Sequence, residues 1–285
     1  MSSVPSPKPG FIRVVDVVAN VALARTQTVS ICVSADGAGL IPTVSNRGFP
    51  MKTLLLASAA VLALSAGIAS AGAKHPGAIT HAKAHHFITS PGARQVTLYD
   101  QNIADNGVGI VSDDFDSGTF DSYDSQIADD FAVPAGVRWK IRHVQVTGVY
   151  FNGSGPSDGQ NIYFYKDEGG KPGKLKYSCG TVHGRDNGSG SFDIIIPKSC
   201  DASVKGFDAG KRFWVSVQAR MNFTGGAGEW GWSTNNTQVG NPAMFRSAGG
   251  FGCTQWDTLA NCIGSYGQGP DVAFALVGKI HPINP

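Results

Sequence analysis

The chain is poor in charge: 15% of its 285 residues are Asp, Glu, Lys or Arg, and the formal net charge is +2. That excludes a disordered acidic or basic chain and leaves no basic surplus to attract nucleic acid. Glutamate is scarcer still, confined to Glu168 and Glu229, so a pair of glutamates for glycoside hydrolysis has little to draw on. No His-Glu-x-x-His pair and no Cys-x-x-Cys pair occurs, which removes the usual signatures of zinc peptidases and zinc fingers. The main apolar run, Leu54 to Leu64, is too short for a helix that spans a bilayer. No long segment places apolar residues at i, i+3, i+4 and i+7, so amphipathic helices are not expected.

Glycine is abundant, with 37 residues against 15 proline, and 42% of the chain is hydrophobic, enough for a core. Residues 51–71, MKTLLLASAAVLALSAGIASA, join a Met, Lys52, the apolar run and a terminal Ala69-Ser70-Ala71. That order reads as a secretory signal peptide, and it predicts a secreted or periplasmic protein with no transmembrane segment. Residues 1–50 carry Pro5, Pro7, Pro9, Pro42 and Pro50 and sustain neither period. They are expected to be a disordered upstream extension, with Met51 as the true start. From Gly72 onward the chain holds 18 basic and 19 acidic residues, close to neutrality. Residues 72–94, with His75, His81, His85 and His86, read as a flexible linker rather than a metal site.

Four cysteines lie beyond the signal peptide, an even number that in an exported chain reads as a disulfide framework. Cys179–Cys200 and Cys253–Cys262 are the expected pairs, since each closes a local loop between strands. From Gln95 to about residue 280, Val-, Ile-, Phe-, Tyr- and Trp-rich runs alternate with turn clusters such as Asn187-Gly188-Ser189-Gly190. Strands are expected at 95–99, 127–133, 137–151, 160–166, 176–183, 190–196, 211–221, 229–234, 242–246 and 271–278. Period two is clear in Phe213–Ala219, where the odd positions are apolar opposite Ser216 and Gln218. The expected fold is all-β: a single two-sheet antiparallel β-sandwich, jelly-roll-like, held by two disulfides.

Two constellations point to ligands. Residues 112–130 hold seven Asp, and Asp121, Asp124, Asp129 and Asp130 are the expected ligands of a structural calcium in a loop, carboxylate oxygens suiting a hard cation. No other cofactor is expected. Glu229-Trp230-Gly231-Trp232 places two indoles at i and i+2 on one strand face, and Trp256 lies inside the Cys253–Cys262 loop. Indoles stack on sugar rings while nearby polar groups fix hydroxyls, so Trp230, Trp232, Trp256 and Glu229 are the expected glycan-binding residues. Burial of Trp230 and Trp232 in the core is the competing expectation, and Tyr150, Phe151, Tyr163 and Tyr165 add further rings.

The segments YDSQIADDFAVP (123–134), VTGVYFNGSGP (146–156), KRFWVSVQARM (211–221), EWGWS (229–233), GCTQW (252–256) and GPDVAFALVG (269–278) resemble a family of secreted bacterial β-sandwich domains. The resemblance spans roughly residues 95–278. It implies export and a jelly-roll-like sandwich, and it brings no catalytic residues. The chain is thus expected to be a non-catalytic module that binds a glycan or another cell-surface ligand. The alternatives are a structural or adhesive envelope protein with a calcium-stabilised Asp-rich loop and a small secreted hydrolase centred on Glu229.

Overall fold

The computed structural model describes residues 14–19, 27–32, 41–42, 76–84, 94–102, 106–116, 118–266 and 268–283. The signal peptide at 51–71, and His75, His85 and His86, lie outside the described residues. The chain divides into two units, Met1–Gly72 and Ala73–Pro285. In the first, Val14–Ala19 (β1), Gln27–Cys32 (β2) and Ile41–Pro42 (β3) form an antiparallel sheet in that order. This differs from the expectation that residues 1–50 lack regular structure. The β-branched run Val14-Val15-Asp16-Val17-Val18 has the composition of a strand.

The second unit opens with Ile79–Thr80 (β4), Val96–Asp100 (β5), Gly109–Val111 (β6), Asp113–Phe115 (β7), Ser125–Ala132 (β8) and Val137–Val146 (β9). Gly148–Phe151 (β10), Gln160–Asp167 (β11), Pro172–Val182 (β12), Arg185–Asp186 (β13), Phe192–Ile195 (β14) and Arg212–Met221 (β15) follow. It closes with Glu229–Asn235 (β16), Met244–Ser247 (β17), Asp257–Thr258 (β18), Asp271–Val272 (β19) and Phe274–Pro282 (β20). A seven-stranded sheet runs β12-β11-β15-β8-β17-β18, with β7 set parallel beside β15. One five-stranded sheet runs β13-β14-β9-β20-β5, and another runs β10-β16-β6-β4 with β19 beside β16. The expected strand 137–151 is interrupted at Thr147, whose N–H donates to Ala273 O while its carbonyl accepts from Ser233. At that point the two five-stranded sheets run into each other, and together they form the layer opposite the seven-stranded sheet.

Period-two alternation builds the space between the layers. Phe131 on β8 stacks on Trp139 of β9 at 6.3 Å and meets Phe164, Phe207 and Phe213 at 5.4 to 6.4 Å, mostly edge-on. Such edge-on pairs satisfy the ring quadrupoles as well as burying apolar area. The chain is an all-β sandwich, as expected. Cys179–Cys200 ties β12 to the turn before the short helix Asp201–Val204, and Cys253–Cys262 closes the loop that carries Trp256. Two disulfides are the mark of an oxidising or extracellular environment. Among the described residues no helix is long and apolar enough to cross a membrane.

The linker expected at 72–94 is corrected over its described part. Ile79 and Thr80 pair with Ile110 and Gly109, and Val111 N–H donates to Ala78 O at 3.0 Å. Ile79 is apolar and β-branched, which suits it to extend the edge of a sheet.

Candidate functional site

Both faces of β16 are covered, and all seven of its residues are buried. Trp230 and Trp232 are 0% exposed. The Trp230 indole N–H donates to Gly190 O at 2.6 Å and that of Trp232 to Ala273 O at 2.9 Å. Trp230 lies over Gly148, where a Cβ would fall 2.4 Å from the indole nitrogen, so only glycine lets the ring seat there. Neither indole has a face left for a sugar, which corrects the expectation that this pair forms a stacking platform. Glu229 shares its fate. It is 0% exposed, and its two carboxylate oxygens accept from Gly77 N–H and Asn152 Nδ2, each at 2.6 Å. Burial pushes its pKa up to about 7 against those two hydrogen bonds. A side chain so enclosed reaches neither ligand nor substrate.

The four expected calcium ligands do not converge. Asp129 and Asp130 are consecutive on β8, and consecutive strand residues point to opposite faces. Asp129 turns inward, where its Oδ2 accepts from Gln101 Nε2 at 2.6 Å and Val272 N–H at 2.9 Å. Asp130 turns outward to Arg212, 2.6 Å away, and to Asn241. Asp121 sits exposed on the 3-10 turn Asp121–Tyr123, and Asp124 accepts from Phe115 N–H at 2.9 Å. Among the described residues no three His, Cys, Asp or Glu side chains gather to hold a metal. The Asp-rich stretch is also not one loop, since β7 and most of β8 lie within it.

The remaining expected residue, Trp256, leads to a different surface. The outer face of the seven-stranded sheet is set by cross-strand register. Gln126 lies opposite Arg246, Ala128 opposite Ser216 and Met244, Tyr163 opposite Ser216, Asn161 opposite Gln218, and Tyr165 opposite Trp214. Arg246 is half-buried, and its guanidinium lies 4.5 Å from the Trp256 ring centre and 5.9 Å from that of Tyr165. Both Nε and Nη2 donate to Gln126 Oε1, at 3.0 and 2.6 Å. The Tyr165 hydroxyl donates to the same oxygen at 3.2 Å, and Arg246 Nη2 reaches that hydroxyl at 3.4 Å. The Trp256 and Tyr165 rings meet edge-on at 5.6 Å, and Tyr163 lies 6.3 Å from Tyr165.

The polar groups of this face are held by one another. Asn161 Nδ2 donates to Asp114 Oδ2 at 2.7 Å, Thr181 Oγ1 donates to Asn161 Oδ1 at 2.7 Å, and Gln218 Nε2 donates to the carbonyls of Asp113 and Ser125, both at 3.0 Å. Beside Arg246 a hollow of about 250 Å³ is lined by Asp124, Gln126, Gln218, Ser247 and Thr254 among others. Burial pushes Asp124 up to about 6, helped by Asp114 and Asp121 and opposed by the Phe115 N–H. Burial also raises Tyr163 and Tyr165, so both hydroxyls are protonated donors at neutral pH. The face therefore offers the half-buried rings of Trp256 and Tyr163 over a buried Tyr165, fixed amides and one oriented cation.

Of this set the sequence reading reached Trp256, Tyr163 and Tyr165 but not Arg246, Gln126, Gln218 or Asn161. The one local signal was the i, i+2 spacing of Asn161, Tyr163 and Tyr165. The chain also carries one Gly-x-Ser-x-Gly match, Gly155-Pro156-Ser157-Asp158-Gly159. It has the spacing of a nucleophile elbow, but strand β11 follows it, where an elbow needs a helix. Ser157 Oγ accepts from Gln160 Nε2 at 2.7 Å.

No family model matches the chain, and no curated protein matches it. One solved structure that is similar to it holds the cysteine protease and lectin-like domains of Cwp84, a surface layer associated protein of Clostridium difficile. Identity is 11% and the TM-score 0.42; the match covers 67% of this chain and 37% of that one.

Proposed function

We propose that the chain is an exported, non-catalytic binding module, and that it takes a glycan on the outer face of its seven-stranded sheet. The observation that carries this is the grouping, on one sheet face, of the half-buried Trp256 and Tyr163 rings over the buried Tyr165, with fixed amides and a hollow beside Arg246. Pyranose rings present apolar C–H faces and a rim of hydroxyls. Flat aromatic side chains meet the first, and amides and carboxylates of fixed orientation meet the second. Gln126 and Gln218 spend their donors and acceptors holding neighbours, so the face is set before a ligand arrives and loses little side-chain entropy on binding. The disulfides and the leader-like segment 51–71 support export.

The test is a titration of the full chain with a panel of soluble polysaccharides, followed by intrinsic Trp fluorescence. The expected result is a saturable shift with at least one glycan, abolished in Trp256→Ala while the variant still unfolds cooperatively. No saturable shift with any glycan, or a shift that survives Trp256→Ala, would overturn the reading and leave a structural envelope domain.

A further inference from the structure

We infer that the glycan taken by this face is acidic, and that Arg246 receives the carboxylate of a uronic acid unit; this rests on the reading of the face as a glycan platform. Arg138, Arg212 and Arg220 each lie within 4.0 Å of an aspartate, at 3.4, 2.6 and 3.7 Å. Arg246 has no carboxylate partner among the described residues, although it is half-buried beside two aromatic rings. A guanidinium carries five N–H donors. Gln126 and Tyr165 engage Nε and Nη2, and Nη1 has no acceptor among the described residues.

A cation drawn partly out of water is best compensated by an anion, and a planar fork pinned at one edge matches a carboxylate at the other. The Trp256 ring face, 4.5 Å away, attracts the guanidinium without neutralising its charge. Arg246 lines the hollow, the space a ligand would enter. Asp124 lines the same hollow and has its Oδ1 taken by Phe115 N–H.

The experiment titrates the full chain with polygalacturonate and alginate, and with the methyl esters of both, by fluorescence at low and high salt. The acid forms should bind at least about tenfold more tightly than the esters, a preference of about 1.4 kcal/mol, and lose affinity with salt. Arg246→Gln should reduce the acid forms to the level of the esters, with Arg246→Lys intermediate because it keeps the charge but not the fork. Thermal unfolding of both variants establishes that each is folded. Equal binding of acids and esters, with both lost in Trp256→Ala, would overturn the acidic preference and leave the glycan platform standing. No binding of the acid forms alongside binding of a neutral glycan would do the same. No binding of any glycan would overturn both.

Discussion

The molecule holds two aromatic groups of similar composition and opposite circumstance. Trp230 and Trp232 lie on a strand with neighbours on both faces, each indole N–H spent on a backbone carbonyl. Trp256 lies in a loop closed by a disulfide, half-buried against Tyr165 and a guanidinium on the outer face of the seven-stranded sheet. Spacing at i and i+2 is the same on a covered strand and on an open one. What separates a core pair from a ligand face is whether a second layer lies over that side of the sheet. In this chain Thr147 sets that, by carrying the β9 ladder on to β16 and laying the Trp strand within the second layer.

Four experiments break or sharpen this contrast, taken from the largest effect down. Trp232→Ala removes a fully buried ring and should cost about 3–5 kcal/mol in denaturant unfolding, while Trp256→Ala should cost about 1 kcal/mol or less. Equal costs would erase the distinction between the two groups. Replacing Cys253 and Cys262 together by Ser should cost roughly 2–3 kcal/mol and also weaken glycan binding, since the loop that holds Trp256 is no longer closed. The corresponding change at Cys179 and Cys200 should affect stability alone, and calorimetry beside titration separates the two.

The third experiment is the pH dependence of melting. Glu229 and Asp271 are pushed up to about 7 by burial and Asp124 to about 6, and burial drives Asp113 and Asp129 upward as well. An acid whose pKa is raised on folding stabilises below its unfolded value, and that stabilisation is lost as pH rises through the folded one. The melting temperature should therefore be several degrees higher near pH 5 than near pH 8. Glu229→Gln should flatten part of the slope. A melting temperature that rises over this window would contradict the assignment. The smallest effect is that of chelation. Because Asp129 and Asp130 face opposite ways, EDTA should shift melting by less than about 2 °C, as scanning calorimetry would show.

Much of the fold was legible in the sequence. Alternation along Phe213–Ala219 and the turn clusters between runs announced strands, and the even cysteine count announced the bridges. Among the strands that were missed, β6 (Gly-Ile-Val) and β7 (Asp-Asp-Phe) are three residues each and β4, β13 and β18 are two, too short for a period to show, so their place in the sheets comes from pairing and not from composition. The outward and inward turns of Asp130 and Asp129 were implicit in the period of a strand and were lost when the segment was read as a loop. The candidate site was less legible. Arg246 meets Gln126 across 120 positions and Tyr165 across 81, and no local pattern brings them together. The burial of Trp230 and Trp232 depended on which strands cover β16, a property of topology and not of the Glu-Trp-Gly-Trp motif.

The two-residue strand at Ile79–Thr80 has a consequence for where this domain can be cut. With Gly77 N–H on the Glu229 carboxylate and Ala78 O accepting from Val111, residues 77–80 act as a strap across the edge of the sheet. A chain begun at Gln95, where the strand-rich sequence opens, would lack that strap and leave Glu229 short of one donor in a dry interior. Clipping between the strap and Val96 need not release it, because its hold is by ladder bonds and not only by the covalent link. The same short peptide offered separately would then re-dock as a donated strand, turning the domain's own leading segment into a removable part.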